Sequence, residues 1–184
     1  MREAKCVVVD LTARSVSIEP LNQKWLRQFL GGAGYSSRLL LDFLRPDVGA
    51  QSPENPFALM TGPVTGLRFP GAGRFSVAGR SPLTGRWGEA SAGGFWGSEL
   101  QAAGFYGVVV KGASESPVGL VIVDGQVEIV DAKDMWGLDS FEAERVIKER
   151  MGDDRAQTVT IGQAGENRVP LASVIHGRGH VAAR

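Results

Sequence analysis

Near the start of the chain Val7 and Val9 alternate with Val8 and Asp10. After a Thr12-Ala13 turn, Val16 and Ile18 alternate with serine and glutamate. This period of two over residues 5–11 and 14–19 predicts a β-hairpin. Trp25, Leu26, Phe29 and Leu30 share one face of a short helix over residues 22–30, which Gly31-Gly32 stops. A second helix runs from Tyr35 to Leu44 and ends before Pro46, and Pro56 to Thr61 reads as a buried strand. A glycine-rich middle follows, residues 62–97, with a strand from Arg74 to Ala78 and turns at Ser81-Pro82 and Thr84-Gly85. A two-turn helix is predicted after Gly97, with Ser98 as N-cap and Gly104 as its stop. Phe105 to Lys111 is a strand, and residues 117–123 and 126–130 form a hairpin across Asp124-Gly125. Asp139 and Glu142 make a capping box for a helix over residues 140–151, whose apolar face is Ala143, Val146, Ile147 and Met151. Strands at 157–161 and 168–175 complete the series.

The two halves, roughly residues 1–100 and 105–184, run the same course: hairpin, polar stretch, tryptophan, helix, glycine, strand. Val8-Val9-Asp10 with Val16-Ser17-Ile18 corresponds to Ile122-Val123-Asp124 with Val127-Glu128-Ile129, and Trp25 to Trp136. The turn Gly62-Pro63-Val64-Thr65-Gly66 has its counterpart in Gly162-Gln163-Ala164-Gly165, and Arg74 is matched with Arg168. A repeat this long predicts two units about a pseudo-twofold axis, so a ligand at the axis should be twofold or come in two copies. Chance recurrence of hairpin-plus-helix units in an α+β domain is the competing explanation.

Composition narrows the classes. The 184 residues suit one domain, and 20 basic against 20 acidic residues offer no global attraction for nucleic acid or an anionic membrane. The single cysteine, Cys6, lies in an apolar run and excludes a disulfide framework or a cysteine-rich metal centre, which implies a reducing, cytoplasmic setting. No apolar run reaches the roughly 20 residues needed to cross a bilayer, and no signal pattern opens the chain. Glycine, at 25 residues, is about twice its usual share.

Four stretches carry candidate chemistry. Gly71-Ala72-Gly73-Arg74-Phe75 joins close backbone approach to a guanidinium suited to phosphate, though it also suits a plain turn before a strand. Arg68, Arg74, Arg80 and Arg86 recur every six residues; Arg68 and Arg86 read as solvated. Glu89 to Gly97 feeds a helix with small residues that leave N–H groups free for an anion, yet matches neither a P-loop nor a dinucleotide fingerprint, as Gly31 to Gly34 also does not. His176-Gly177-Arg178-Gly179-His180, running on to Arg184, holds both histidines; two histidines alone would make an incomplete metal site, and anion contact by His180 or Arg178 is favoured. In the duplication it corresponds to residues 80–97. The chain stops in this basic stretch without a cap, which predicts a longer polypeptide. No catalytic group stands out.

Phe29-Leu30-Gly31-Gly32-Ala33-Gly34, Thr61-Gly62-Pro63-Val64-Thr65-Gly66, Gly73-Arg74-Phe75, Ser81-Pro82-Leu83-Thr84-Gly85, Ala92-Gly93-Gly94-Phe95-Trp96-Gly97 and Ile161-Gly162-Gln163-Ala164-Gly165-Glu166-Asn167 occur in this order. With them the whole chain closely resembles the N-terminal domain of tungsten-containing aldehyde:ferredoxin oxidoreductases. The resemblance implies an α+β fold: a duplicated β–α–β platform of two mixed or antiparallel sheets about a pseudo-twofold axis, forming a single cofactor-binding domain over 1–184. It implies a tungsten or molybdenum bis-pterin whose phosphates are bridged by magnesium, and a [4Fe–4S] cluster whose ligands lie outside this segment. By motif, Arg74 is the phosphate-contacting arginine, and the main-chain carbonyls of Ser91 and Val181 meet the magnesium. Ala92, Gly93, Gly94, His180, Ala182 and Arg184 complete the expected contacts. Ser91 stands where the family often has asparagine, and His180 where many members have arginine. The implied activity is aldehyde oxidation to carboxylic acid with electrons passed to ferredoxin, and the 184-residue segment alone should be inactive. A non-catalytic binding module, or another tungsten reaction such as aromatic-ring reduction, are the rivals. The oligomeric state is left open, homo-oligomerisation included.

Overall fold

The computed structural model describes residues 3–177 and 179–182. The first hairpin is β1 (Lys5–Asp10) and β2 (Ser15–Pro20), followed by α1 (Gln23–Phe29) and α2 (Gly32–Leu41). Next come β3 (Phe57–Thr61), β4 (Phe75–Arg80), β5 (Trp87–Ala92), α3 (Trp96–Ala102) and β6 (Gly107–Lys111). The second half holds the hairpin β7 (Val118–Val123) and β8 (Gln126–Asp131), then α4 (Ser140–Met151), β9 (Val159–Thr160), α5 (Gly162–Glu166), β10 (Val174–His176) and β11 (His180–Ala182).

A six-stranded mixed sheet, ordered β2-β1-β6-β3-β4-β5, is the centre of the molecule. Its inner strands are the continuous apolar runs, because both faces are covered. Pleating sends Val7, Val9, Leu59, Phe75, Val77 and Val108 to one face, where they meet Leu100, Phe105, Val174 and Ala182. Cys6, Ala58, Met60, Ala78 and Val109 go to the other, under Tyr35 and Leu40 of α2. The neighbours β1 and β6 are parallel; the remaining pairs of this sheet are antiparallel. Between β3 and β6, Gly107 lies too close to Met60 and the Leu59 carbonyl for any Cβ. The second half contributes an antiparallel sheet β11-β10-β9 and the separate hairpin sheet β7-β8.

The expected combination of helices with mixed and antiparallel sheets is observed. The order hairpin, helix, three-strand meander occurs twice. Register makes the repeat specific: Met60, Ser76 and Ser91 stand side by side across β3, β4 and β5, and Thr160, Ile175 and Val181 across β9, β10 and β11. Two residues past Met60 comes Gly62, and two past Thr160 comes Gly162. This register places Ser173, not Arg168, opposite Arg74. Arg168 sits beyond α5 at a φ of 55°, its carbonyl accepting from Gln51.

Several local expectations change. Residues 87–92, read as a small-residue approach to a helix, form β5, because pairing with β4 outweighs the low strand propensity of Gly, Ser and Ala. Helix α3 starts a turn earlier than expected, with Phe95 rather than Ser98 at its N-cap. The turn at residues 162–165 is the short helix α5, and the strand expected over 168–175 shortens to β10. The Asp139–Glu142 capping box is present, with Gly152 as the left-handed C-cap.

Burial, aided by Glu19, pushes the Cys6 thiol up to about 12. A thiol reagent at about pH 8 should therefore leave the native protein unlabelled and react fully after unfolding in denaturant. Rapid labelling of the native protein would contradict the placement of β1 inside the sheet.

Candidate functional site: a glycine seam between the two halves

The turn after β3 is held by one buried hydroxyl. Thr65 Oγ1 accepts the Gly62 N–H at 3.0 Å and donates to the Arg74 carbonyl at 3.0 Å. Gln101 of α3 ties the same turn down, donating to the Gly62 carbonyl at 2.7 Å and to Thr61 Oγ1 at 2.9 Å. The Arg74 backbone is thereby fixed, and its side chain crosses to β5. There Nη2 donates to the Ser91 carbonyl at 3.1 Å and to Ser91 Oγ at 2.8 Å. A Cβ placed on Gly93 would stand 4.0 Å from Arg74 Nη1.

Beyond β5 the chain turns at Gly94, with a φ of 86°. A Cβ on Gly73 would collide with the Gly94 carbonyl, and one on Gly97 would come 3.2 Å from the Gly73 carbonyl. Main chain rests directly on main chain here, which only glycine permits. On its far side Gly94 meets the second half, since a Cβ would lie 3.2 Å from His176 Cε1 and 3.7 Å from His180 Cδ2. The two imidazoles are stacked, centroids 5.4 Å apart and planes 20° from parallel, and His176 packs edge-on to Phe75 at 5.0 Å. His176 is only 2% exposed, and neither ring nitrogen has a hydrogen-bond partner among the described residues. His180, by contrast, is exposed.

A cleft of about 370 Å³ opens on the α2 side of this seam. Its walls are Gly31 to Ala33, Pro63 to Thr65, Gly71 and Ala72, with Arg74, Ser76, Glu89 and Ser91 along the strands. Gly31, at a φ of 123°, fits because a Cβ there would meet the Thr61 carbonyl at 2.8 Å. A larger hollow, about 480 Å³, follows the outer face of α4. Its charged side chains pair with one another, Lys148 with Glu144 and Arg145 with Glu149, so the glycine seam is the better candidate.

The structure thus brings together Arg74, Ser91, Gly93, Gly94 and His180, with Ala92 at the end of β5 and Val181 and Ala182 on β11. Arg184 and Arg178 lie outside the described residues. The six-residue arginine series disperses: Arg80 donates to the carbonyls of Arg45 and Pro46, anchoring the loop after α2, while Arg68 and Arg86 are exposed. Sequence reasoning passed over Thr65, Gly31 to Ala33 and Glu89 as site residues. The signal for Glu89 was its spacing of two from Ser91 on one strand; without β5 that signal had no meaning. Among the described residues no group of three His, Cys, Asp or Glu side chains could hold a metal ion, and no helix is long and apolar enough to cross a membrane.

A mixed sheet and a smaller antiparallel sheet each carry one copy of the meander, and a glycine seam lies where the copies meet. The family description "Aldehyde ferredoxin oxidoreductase, N-terminal domain" matches residues 6–184, and the chain belongs to that family. It is 40% identical over 179 residues to the tungsten-containing aldehyde ferredoxin oxidoreductase of Pyrococcus abyssi, covering 97% of this chain and 29% of the relative. It is 30% identical over 193 residues to the "Aliphatic sulfonate oxidoreductase, WOR-like subunit" of Pyrococcus furiosus, covering 97% and 31%. Among solved structures, the active site complex BamBC of benzoyl coenzyme A reductase, with bound 1,5-dienoyl-CoA, superposes with a TM-score of 0.96 at 35% identity. That match covers all of this chain and 28% of the other. The chain therefore spans under a third of the length of these relatives.

Burial, and then the neighbouring His180, holds His176 below its usual value of about 6.5. The unfolded chain binds the proton more readily, so stability is lost as pH falls from the usual histidine value toward the lowered one. The urea midpoint should drop on acidification through that window, and His176→Val should remove this part of the slope. An unchanged slope in the variant would refute a neutral, buried imidazole.

Proposed function

We propose that this chain is the platform on which a tungsten, or molybdenum, bis-pterin cofactor is seated, with magnesium bridging the two pterin phosphates at the glycine seam. The observation that carries the reading is the Arg74 guanidinium held at Ser91 beside the glycine seam. A planar, permanently charged fork suits phosphate oxygens. Ser91 and Val181 occupy the same register position in the two meanders, so a bridging ion would meet equivalent main-chain carbonyls from both halves. Hard oxygen donors of this kind suit magnesium, which keeps much of its own water. The residues present fit the group: at Gly93 a Cβ would meet only Arg74 Nη1, at 4.0 Å, so the backbone beside the guanidinium is open to a ligand, and His176 has two buried nitrogens without partners among the described residues.

In this reading Arg74 and His180 contact phosphate, Ser91 and Val181 offer carbonyls to the ion, and Ala92, Gly93, Gly94 and Ala182 let the ligand approach the backbone. Arg184 belongs to the same proposed set. When bound, the tungsten pterin would supply the redox chemistry; the chain supplies position and electrostatics. The whole protein would oxidise an aldehyde to a carboxylic acid and pass electrons to ferredoxin, as the names of its 38–40% identical relatives suggest. A [4Fe–4S] cluster would need thiolates from elsewhere, since Cys6 is the only cysteine here. For the same reason the 184 residues alone are expected to be inactive.

A second reading within the family is supported by the likeness to benzoyl coenzyme A reductase: the same platform serving reduction of an aromatic ring. The seam is independent of the substrate, so purified protein, expressed as its gene encodes it, must decide. Tungsten and pterin phosphorus should co-purify with it. Aldehyde-dependent reduction of ferredoxin would support the first reading, and ring reduction without it the second. Absence of both metal and pterin would refute the platform itself. Arg74→Ala should lower retained pterin phosphorus by roughly tenfold or more, and Arg74→Lys by less, since lysine keeps the charge without the fork. Full retention in both variants would remove Arg74 from the site.

A further inference from the structure

Burying an imidazole without a partner for either nitrogen is costly, and a fold normally avoids it. At His176 the fold does not require it. Register pairs β10 with β11 as it pairs β4 with β5, and carries His176 onto Val77, an apolar core position in the first half. In the first half the equivalent place is filled by valine. What distinguishes the second-half position is its surroundings: His180 stacked on it, Phe75 edge-on to it, and Gly94 closing over Cε1. The link to Arg74 runs through the backbone, since Gly94, against both imidazoles, follows Gly93, whose Cβ position is 4.0 Å from Arg74 Nη1.

We propose that His176 is a further anion contact of the seam, on the inner side of His180, whose ring nitrogen pairs with a phosphate oxygen when the ligand is seated. This rests on the platform reading given above. A neutral imidazole always carries one N–H donor, so the pairing needs no change of protonation. His180 is the exposed cover of the stack and the group that must shift to admit the oxygen. The unpaired nitrogens are then not a packing defect but a donor kept dry for its partner, the usual trade of stability for function at a binding site.

The test uses the protein as its gene encodes it, comparing wild type with His176→Val and His176→Asn. Two quantities are read: the melting temperature of cofactor-free protein, and the rate at which tungsten and pterin phosphorus are lost during incubation with a magnesium chelator. His176→Val copies the residue at the equivalent first-half position. It should melt at the same temperature as wild type or higher, because the orphaned nitrogens are gone. Yet it should lose pterin phosphorus roughly tenfold faster or more, the worth of one hydrogen bond to a charged group. His176→Asn restores an N–H donor and should recover part of the retention. Equal retention in wild type and His176→Val, with melting unchanged or raised, would leave His176 a core residue and overturn the inference while the platform stands. Equal loss from the Val and Asn variants would overturn it too, and if His176→Val does not fold, His176→Leu replaces it in the same comparison, read in the same way. Wild-type protein free of pterin phosphorus would instead overturn the platform reading.

Discussion

The seam exists because two stretches of main chain touch without side chains between them. Gly73 lies against the Gly94 carbonyl, and Gly97 against the Gly73 carbonyl. Any Cβ at Gly73 would drive the loops apart and take Arg74 away from Ser91. Thr65 and Gln101 make this contact rigid by fixing the turn that delivers Arg74. The cleft, the guanidinium and the approach to the second half all follow from that one backbone packing. Its glycines are a steric requirement more than a source of flexibility.

The two halves are joined by more than the seam. Val174 and Ala182 of the small sheet sit in the same apolar cluster as Phe75 and Ala92 of the large one. Phe75 also carries Trp96 on one side, at 4.7 Å, and His176 on another. A strand of three residues, such as β10 or β11, has little stability by itself. Here it borrows the core of its neighbour, so the geometry of the second half at the seam is set by the first.

Much of this was readable in the chain. Alternation found both hairpins, the capping box found α4, and apolar runs marked β3 and β6 as strands, while the cover on both faces of their sheet emerges only in the fold. The duplication was visible as well, though the residues opposed in it were settled only by register. Local pattern could not find β5: its Gly-Glu-Ala-Ser-Ala core has no strand signature, and long-range pairing with β4 decides its conformation. The six-residue spacing of the arginines carried no phase through the intervening turns, and Arg80 is an anchor for another loop. In the last stretch the sequence pointed to His180 and Arg178 for anion contact, not to His176, whose burial with unpaired nitrogens depends on Phe75 and Gly94 arriving from roughly eighty to a hundred residues away.

The parallel pairing of β1 with β6 has a consequence for how the molecule is made. Cys6 faces Gly107, so the second strand of the chain's first apolar run is synthesised long after the first. Closing that span is entropically expensive, and non-local pairings of this kind slow folding. Until β6 emerges, Val7 to Val9 can pair only with β2, leaving one edge of an apolar strand open. Such an edge is where a nascent chain finds wrong partners. The early steps of biogenesis are the interval in which this fold is most exposed to aggregation.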